Sequence, residues 1–431
     1  MKTNKTLLST AVAFGLLSSA NFANAAGFQL AEYSATGLGR AYAGEAAMAD
    51  NASAQWRNPA MLTYLEGTQV SVGAIYVNPN IDVDGSVKFA GKSIPASSDD
   101  FAHDAIIPNF YLSHQYNEKV AIGFALGTNY GMETDLGNDF AASHFGNEAS
   151  VISKEANLNL AYQLNEQFSI GGGVRYIIAE GSFGATAPAQ TAAAIPFIKE
   201  GTPLKYMEGD DTAWGWQVGA AWQINEQHRI GFTYKSAVDL KLAGDAKILN
   251  AKNFQVEESK GSMNLTLPQT AELASFHQVS QQLALHTSIN WTDWSSFKEL
   301  YADLDTLESQ MVKVENWKDN YRFAIGATYQ VQPKLALRTG VAYDTSAVSD
   351  KNRTITIPET DRTWLSIGAT YDWTQDFTLD AGFTYIIAKD ASIEESRGYE
   401  SDDKAQAIGG KFVGETTGNV WLIGVQANYR F

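Results

Sequence analysis

The feature that most restricts this chain is an alternation, with period two, of large apolar and small or polar residues in segments of about 10 residues. At the C-terminus Trp421, Ile423, Val425, Ala427, Tyr429 and Phe431 share one face. Gly424, Gln426, Asn428 and Arg430 share the other, and Leu422 is the exception. Trp214, Trp216, Val218, Ala220, Trp222 and Ile224 alternate in the same way with Gly215, Gln217, Gly219 and Gln223. A strand reads like this when one face meets lipid and the other a lumen. A soluble sandwich also alternates, but its wet face carries Lys, Glu and Asp. Here the weaker face is mostly Gly, Ala, Asn, Gln and Ser. Tyr116, Tyr162, Trp222, Trp291, Tyr329 and Trp373 crowd the strand ends, as rings at headgroup depth would.

The pattern predicts an all-β fold with fourteen strands, near 68–78, 104–116, 118–131, 150–164, 167–182, 207–224, 227–242, 262–276, 279–292, 318–331, 333–345, 362–374, 376–389 and 419–431. Tight turns such as Asn117-Glu118, Asn165-Glu166 and Asn225-Glu226 alternate with long polar connections at 79–103, 132–149, 183–206, 243–261, 293–317, 346–361 and 390–418. Short turns on the periplasmic side and long loops outside belong to an antiparallel transmembrane β-barrel with both termini on one side.

The N-terminus agrees with that destination. Lys2 and Lys5 precede an apolar stretch at 7–20, and Ala23-Asn24-Ala25 supplies small residues at −3 and −1. This reads as a secretory signal over 1–25, with Ala26 as the first mature residue. The apolar stretch is short of the roughly 20 residues a helical span needs. Export in a gram-negative cell then leads to the outer membrane. The chain has no Cys, hence no disulfides, and its net charge of −17 argues against nucleic acid as a partner.

Residues 26–66 do not alternate. They mix small residues with Arg40, Glu45, Asp50 and Arg57, and short helical turns are expected at 39–48 and around 59–62. A segment with so little core of its own needs an outside surface, and a fourteen-strand lumen offers one. The expectation is an N-terminal plug, or hatch, over 26–66, and a barrel over 67–431.

Catalytic chemistry is not legible. The six His are His103, His114, His144, His228, His277 and His286, and no nucleophile motif accompanies them. There is no His-x-x-x-His pair to suggest a metal. Gly171-Gly172-Gly173 lies within a strand and is not a phosphate loop. The chain is expected to be no enzyme and to need no cofactor or metal.

Three ordered motifs carry a resemblance: Ala26-Gly27-Phe28-Gln29-Leu30, the run from Gly37-Leu38-Gly39-Arg40 to Gly44-Glu45, and Arg57-Asn58-Pro59-Ala60. Thr128-Asn129-Tyr130-Gly131, Trp317-Lys318-Asp319-Asn320-Tyr321-Arg322 and the stretch from Asn352-Arg353 to Asp361-Arg362 extend it. Together they resemble the long-chain fatty-acid outer-membrane transporters, from Ala26 to Phe431. The resemblance implies passive uptake of a long-chain fatty acid or another hydrophobic small molecule, by a monomer surrounded by outer-membrane lipid. Neutral aromatic or aliphatic hydrocarbons are the alternative cargo, and a general porin or an adhesin the more distant one.

The resemblance also assigns roles. Phe28 matches a ligand-contacting position near the mature N-terminus, and Asn58, Pro59 and Ala60 a plug turn beside a wall opening. Asn129, Tyr130 and Gly131 match an inward kink that leaves that opening. Lys313 matches a basic pocket residue for the ligand carboxylate. A second pocket base is expected near Ser182-Phe183-Gly184-Ala185, where this sequence has none. Arg175, on the small-residue face of the fifth strand, is the alternative base. Ile195, Phe197, Leu249 and Phe254 are apolar residues in long outer loops and are candidates for a first binding groove.

Overall fold

Alternation of side chains across each strand decides which surface meets lipid, and closure of the sheet removes the unpaired edges that lipid cannot solvate. In the computed structural model, which describes residues 27–396, 406 and 409–431, fourteen antiparallel strands close into one barrel. The signal segment at 1–25 and Ala26 lie outside the described residues, as does part of the 390–418 connection.

The strands are β1 (Thr68–Phe89), β2 (Ala105–Gln115), β3 (Val120–Gly127, resuming as Gly131–Asp135), β4 (Glu148–Gln163) and β5 (Phe168–Thr186). Next come β6 (Pro203–Asn225), β7 (His228–Lys235, resuming as Val238–Asn250), β8 (Gln255–Leu267, resuming as Thr270–Gln278) and β9 (Leu283–Thr292). The last are β10 (Asn320–Gln332), β11 (Leu335–Asp344), β12 (Arg362–Asp372), β13 (Phe377–Ala388) and β14 (Lys411–Arg430). The barrel closes where β1 meets β14, with Gln69 opposite Arg430 and Lys88 opposite Lys411.

The alternation works as expected. In β12 Leu365 and Ile367 point outward and are 44% and 61% exposed, while Trp364 and Ser366 are buried against the lumen side. Leu422, the exception in β14, is a lumen residue in the same buried cluster as Leu38 and Ile75.

The sequence pattern ended several strands too early. β1 runs on to Phe89 rather than stopping at 78, and the chain returns as a paired strand at Lys92–Ser98. Strands Glu299–Leu304 and Gln310–Val314 form a hairpin inside 293–317, and Ala391–Ser396 extends the wall beside β14. Ladder pairing satisfies backbone groups above the membrane as well as within it. Outside the bilayer it needs no apolar face, so hydropathy cannot mark these ends.

The segment ahead of β1 is almost wholly buried. It contains α1 (Ala35–Leu38), a 3-10 turn at Glu45–Ala47, α2 (Ala54–Arg57) and a 3-10 turn at Pro59–Tyr64. The short helical turns expected at 39–48 are present as turns that end in the 3-10 turn, and they do not join into a helix because Ala41 and Tyr42 take φ of 51°, which a right-handed helix cannot accommodate. The small-residue faces of the barrel strands exist to seat this segment. A Cβ at Gly219 of β6 would lie 1.9 Å from Asn58 Oδ1, and one at Gly340 of β11 would lie 2.1 Å from the Arg40 carbonyl oxygen.

Buried charges bind the segment to the wall. Arg40 pairs with Glu45 at 2.7 Å and Asp50 at 2.6 Å, and Tyr33 donates its hydroxyl to Glu45. Arg338 of β11 lies 3.9 Å from Asp50 and 3.6 Å from Asp380 of β13. Burial opposes ionisation of Asp50, but the Arg40 and Arg338 guanidiniums outweigh it and hold the carboxyl at about 2.

Candidate transport pathway

The barrel wall is interrupted at β3. Residues 110–115 of β2 pair with 121–126 of β3, whereas residues 105–109 have ladder partners only in β1 among the described residues. After Gly127 the chain parts from β2 while Gly131–Asp135 stays paired with β4, and on the vacated side its partner becomes the N-terminal segment. Leu30 N–H donates to the Asn129 carbonyl at 2.7 Å, Gly131 N–H donates to the Phe28 carbonyl at 2.8 Å, and Gln29 stands opposite Tyr130. Pro108 sits on the edge left behind. The Gln115 N–H points toward β1, where it donates to the Gly67 carbonyl, so by alternation position 108 points toward the gap. Proline has no N–H to leave unsatisfied there.

The polar side chains behind the gap form a chain of contacts. Asn129 Nδ2 donates to Glu155 Oε2 at 2.6 Å, and Lys235 Nζ donates to Asn129 Oδ1 at 3.3 Å. Arg175 grips Glu155 with two bonds of 2.8 Å and donates through Nη1 to the Ser236 carbonyl at 3.0 Å. Arg175 therefore faces the lumen, as its register predicts, but its guanidinium is engaged in the wall beside the gap. It is not brought to the Phe28 pocket.

Phe28 stands at the centre of an aromatic group. Its ring lies 4.5 Å from Trp294, 5.8 Å from Phe297, 6.0 Å from Trp317 and 6.1 Å from Tyr130. With Met132, Phe183, Leu242, Leu265 and Lys313 it lines a small, largely apolar cavity. Lys313 is buried and extends from the hairpin strand Gln310–Val314. Its Nζ lies 2.9 Å from Glu395 Oε1, 3.3 Å from Thr356 Oγ1 and 5.4 Å from the Phe183 ring centroid. Nearby Glu315 accepts from the Trp317 indole at 2.7 Å, and burial pushes its carboxyl up to about 7 against the pull of Lys313. Phe183 thus occupies the stretch where a second base was expected. The arrangement sets a buried ammonium group beside apolar side chains, the two chemistries that a carboxylate and an acyl chain would each require.

The four loop residues do come together. Ile195, Leu249 and Phe254 pack on buried Ala187, Ile198 and Leu204, and Phe197 stacks on Phe254 at 6.3 Å while remaining 77% exposed. Asn58 caps the turn that follows it: Oδ1 accepts from the Ala60 N–H at 2.9 Å, and Nδ2 donates to the Ala46 carbonyl at 2.6 Å. Pro59 and Ala60 press on Gly171 of β5, and Asn58 on Gly219 of β6. The turn is therefore seated on those two strands, and Trp56 is nearer the gap, close to Gly127 and with its ring 4.8 Å from Lys235 Nζ.

Sequence reading did not single out Glu155, Lys235, Trp294 or Phe297. Glu155 and Lys235 each lie on the lumen face of a strand, and a charge there is itself a functional signal. The two aromatics lie in a polar connection and had no pattern to mark them.

The comparisons agree with this architecture. A family model described as outer membrane protein transport protein (OMPP1/FadL/TodX) matches residues 16–431. The chain is 36% identical over 449 residues to a 47 kDa outer membrane protein of Pasteurella multocida, covering 100% of this chain and 99% of the relative. It is 31% identical over 462 residues to the long-chain fatty acid transport protein of Escherichia coli K12, covering 100% and 99%. Among solved structures, a Pseudomonas aeruginosa FadL homologue superposes with a TM-score of 0.83 at 22% identity, over 94% of this chain and 100% of the other. A family model spanning nearly the whole chain and relatives matched end to end leave one conclusion: this chain belongs to the OMPP1/FadL/TodX family of outer-membrane transport proteins.

Proposed function

We propose that the protein carries long-chain fatty acids inward by passive diffusion, through a loop groove, the Phe28–Lys313 pocket and the side opening at β3. The observation that supports this most is a buried lysine at the edge of an apolar cavity whose other side is Phe28, the residue bonded to the gap. Relatives that carry the name long-chain fatty acid transport protein, matched over their whole length, favour the same cargo.

The steps follow from solubility. An acyl chain first rests on Phe197 and its neighbours, then moves into the pocket, where Lys313 exchanges Glu395 for the ligand carboxylate. Displacement of the segment around Phe28 frees Asn129, Tyr130 and Gly131, and the ligand leaves sideways into the bilayer. That exit spares the acyl chain a transfer into water that costs about 0.8 kcal/mol per CH₂. The segment 26–66 acts as the plug, and the barrel works as a monomer in outer-membrane lipid without a catalytic step. Phe183 in the stretch that lacks a base favours a second reading, uptake of neutral hydrocarbons.

Equilibrium binding of a labelled long-chain fatty acid to the purified barrel separates the two. Saturable binding that weakens about tenfold in Lys313→Ala supports the acid, the loss being that of one charge-assisted contact. Binding of toluene with no binding of the acid moves the assignment to hydrocarbons.

A further inference from the structure

Consecutive residues of the N-terminal segment border two different cavities. Phe28 lines the apolar pocket, whereas the next residues, Gln29 and Leu30, line a second small cavity. Its other walls include Arg57, Lys235, Glu272, Arg322 and Asp344. Three basic side chains therefore face two carboxylates.

Both carboxylates are already engaged. Glu272 accepts from the Ala46 N–H at 3.0 Å and from Asn290 at 2.8 Å, and Asp344 accepts from the Trp364 indole at 2.8 Å. The cations are less well served. Arg322 is 5% exposed, pairs through Nε with Asp344 at 3.3 Å and donates Nη2 to the Ala41 carbonyl at 2.8 Å, but has no hydrogen-bond partner for Nη1. Arg57 Nε is 3.8 Å from Glu272 and is likewise without a hydrogen bond. Lys235 is 5% exposed and joins no ion pair among the described residues; its hydrogen bond goes to Asn129, the residue at the wall gap. Glu32, beside the lining residue Ala31, is pushed up to about 7 by burial, so it adds little negative charge below neutrality.

Buried cations with spare donors select an anion, and an ionised carboxylate can cross a low-dielectric interior only where such donors meet it. We propose that this cavity is a second holding site for the ligand carboxylate, between the Lys313 pocket and the wall, with Lys235 presenting the headgroup to the gap at Asn129. The inference rests on the fatty-acid reading above. The acid would move from Lys313 to Lys235 as the segment at 28–31 shifts, and its acyl chain would lead through the opening.

The test compares uptake of labelled palmitate and of its methyl ester by cells whose only transporter of this kind is the wild type, Lys235→Gln or Lys235→Arg. Lys235→Gln is expected to slow palmitate about tenfold or more while leaving the ester unchanged, and Lys235→Arg to restore most of the rate. Palmitate binding at the Lys313 pocket of the purified barrel stays at the wild-type level. Equal slowing of acid and ester, or an unchanged acid rate, overturns the proposal. Should Lys235→Gln fail to assemble, by heat-dependent gel mobility, Arg57→Gln decides on the same readout, because it faces the same cavity from the plug. If the wild type carries no palmitate, the fatty-acid reading falls too; if it carries palmitate and Lys235→Gln carries it equally well, only this inference falls.

Discussion

The backbone N–H of Gly131 donates to the carbonyl oxygen of Phe28 at 2.8 Å, so the residue that lines the apolar pocket is also the residue that stitches the gap in the wall. Pocket and opening are thus coupled through a single peptide. On the proposed route, a ligand that displaces the Phe28 ring strains the bonds that close the gap.

Phe28→Ala removes a ring packed among Trp294, Phe297, Trp317 and Tyr130. Losses of about 3–5 kcal/mol are usual for such truncations. Here the loss falls on the N-terminal segment, since the barrel ladders are untouched. Hydrogen exchange at the Leu30 and Gly131 amides is expected to speed up by several orders of magnitude, with amides of β10 to β13 unchanged.

Arg175→Ala and Lys313→Ala should differ in binding rather than in stability. Each leaves a buried carboxylate, Glu155 or Glu395, without its partner, at a cost of about 3–5 kcal/mol in stability. Only the second is expected to weaken fatty-acid binding, by about tenfold. Urea unfolding and binding isotherms on both variants check the assignment.

Asn58→Ala strips three hydrogen bonds from the N-terminal segment, to Ala60, Ala46 and the Ala220 carbonyl of β6. Loss of the cap alone costs about 0.5–2 kcal/mol. Hydrogen exchange across 54–64 should accelerate to match, while the Lys313 pocket keeps its affinity.

Glu315 provides a pH dependence. Burial raises its carboxyl from 4.5 to about 7, so it is neutral below that pH and ionised above it. Because the folded state holds this proton more tightly than the unfolded chain, the group takes stability away as pH rises from 4.5 toward 7. Ionised Glu315 also competes for Lys313. A long-chain alkyl sulfonate, charged throughout, should therefore bind more weakly at about pH 8 than at about pH 6, and Glu315→Gln should flatten the difference.

The barrel was legible because lipid imposes a strict rule. Each spanning residue such as Leu365 or Ile367 must be apolar if it points outward, and the alternation records it. The rule lapses above the membrane, so hydropathy marks neither the run of β1 past 78 nor the pairing of Lys92–Ser98. Lumen chemistry was legible only in part. Resemblance singles out Phe28 and Lys313, which line one cavity, whereas Lys235 lies in an ordinary strand and its contact with Asn129, 106 residues away in sequence, has no local signal. Arg175 had the right face and charge, but nothing local announced that Glu155 would claim it.

The most direct test of the account is to lock the N-terminal segment onto the gap. Gln29 and Tyr130 stand opposite each other, flanked by the two bonds that join Leu30 to Asn129 and Gly131 to Phe28. That pattern marks a non-hydrogen-bonded pair, with Cα atoms about 4.5 Å apart and within reach of a disulfide. The chain has no Cys of its own, so Gln29→Cys with Tyr130→Cys gives one unambiguous cross-link. Palmitate uptake by this variant should stop on oxidation and return on reduction, with binding at the pocket retained in both states. Uptake that runs equally fast with the cross-link closed would contradict the account.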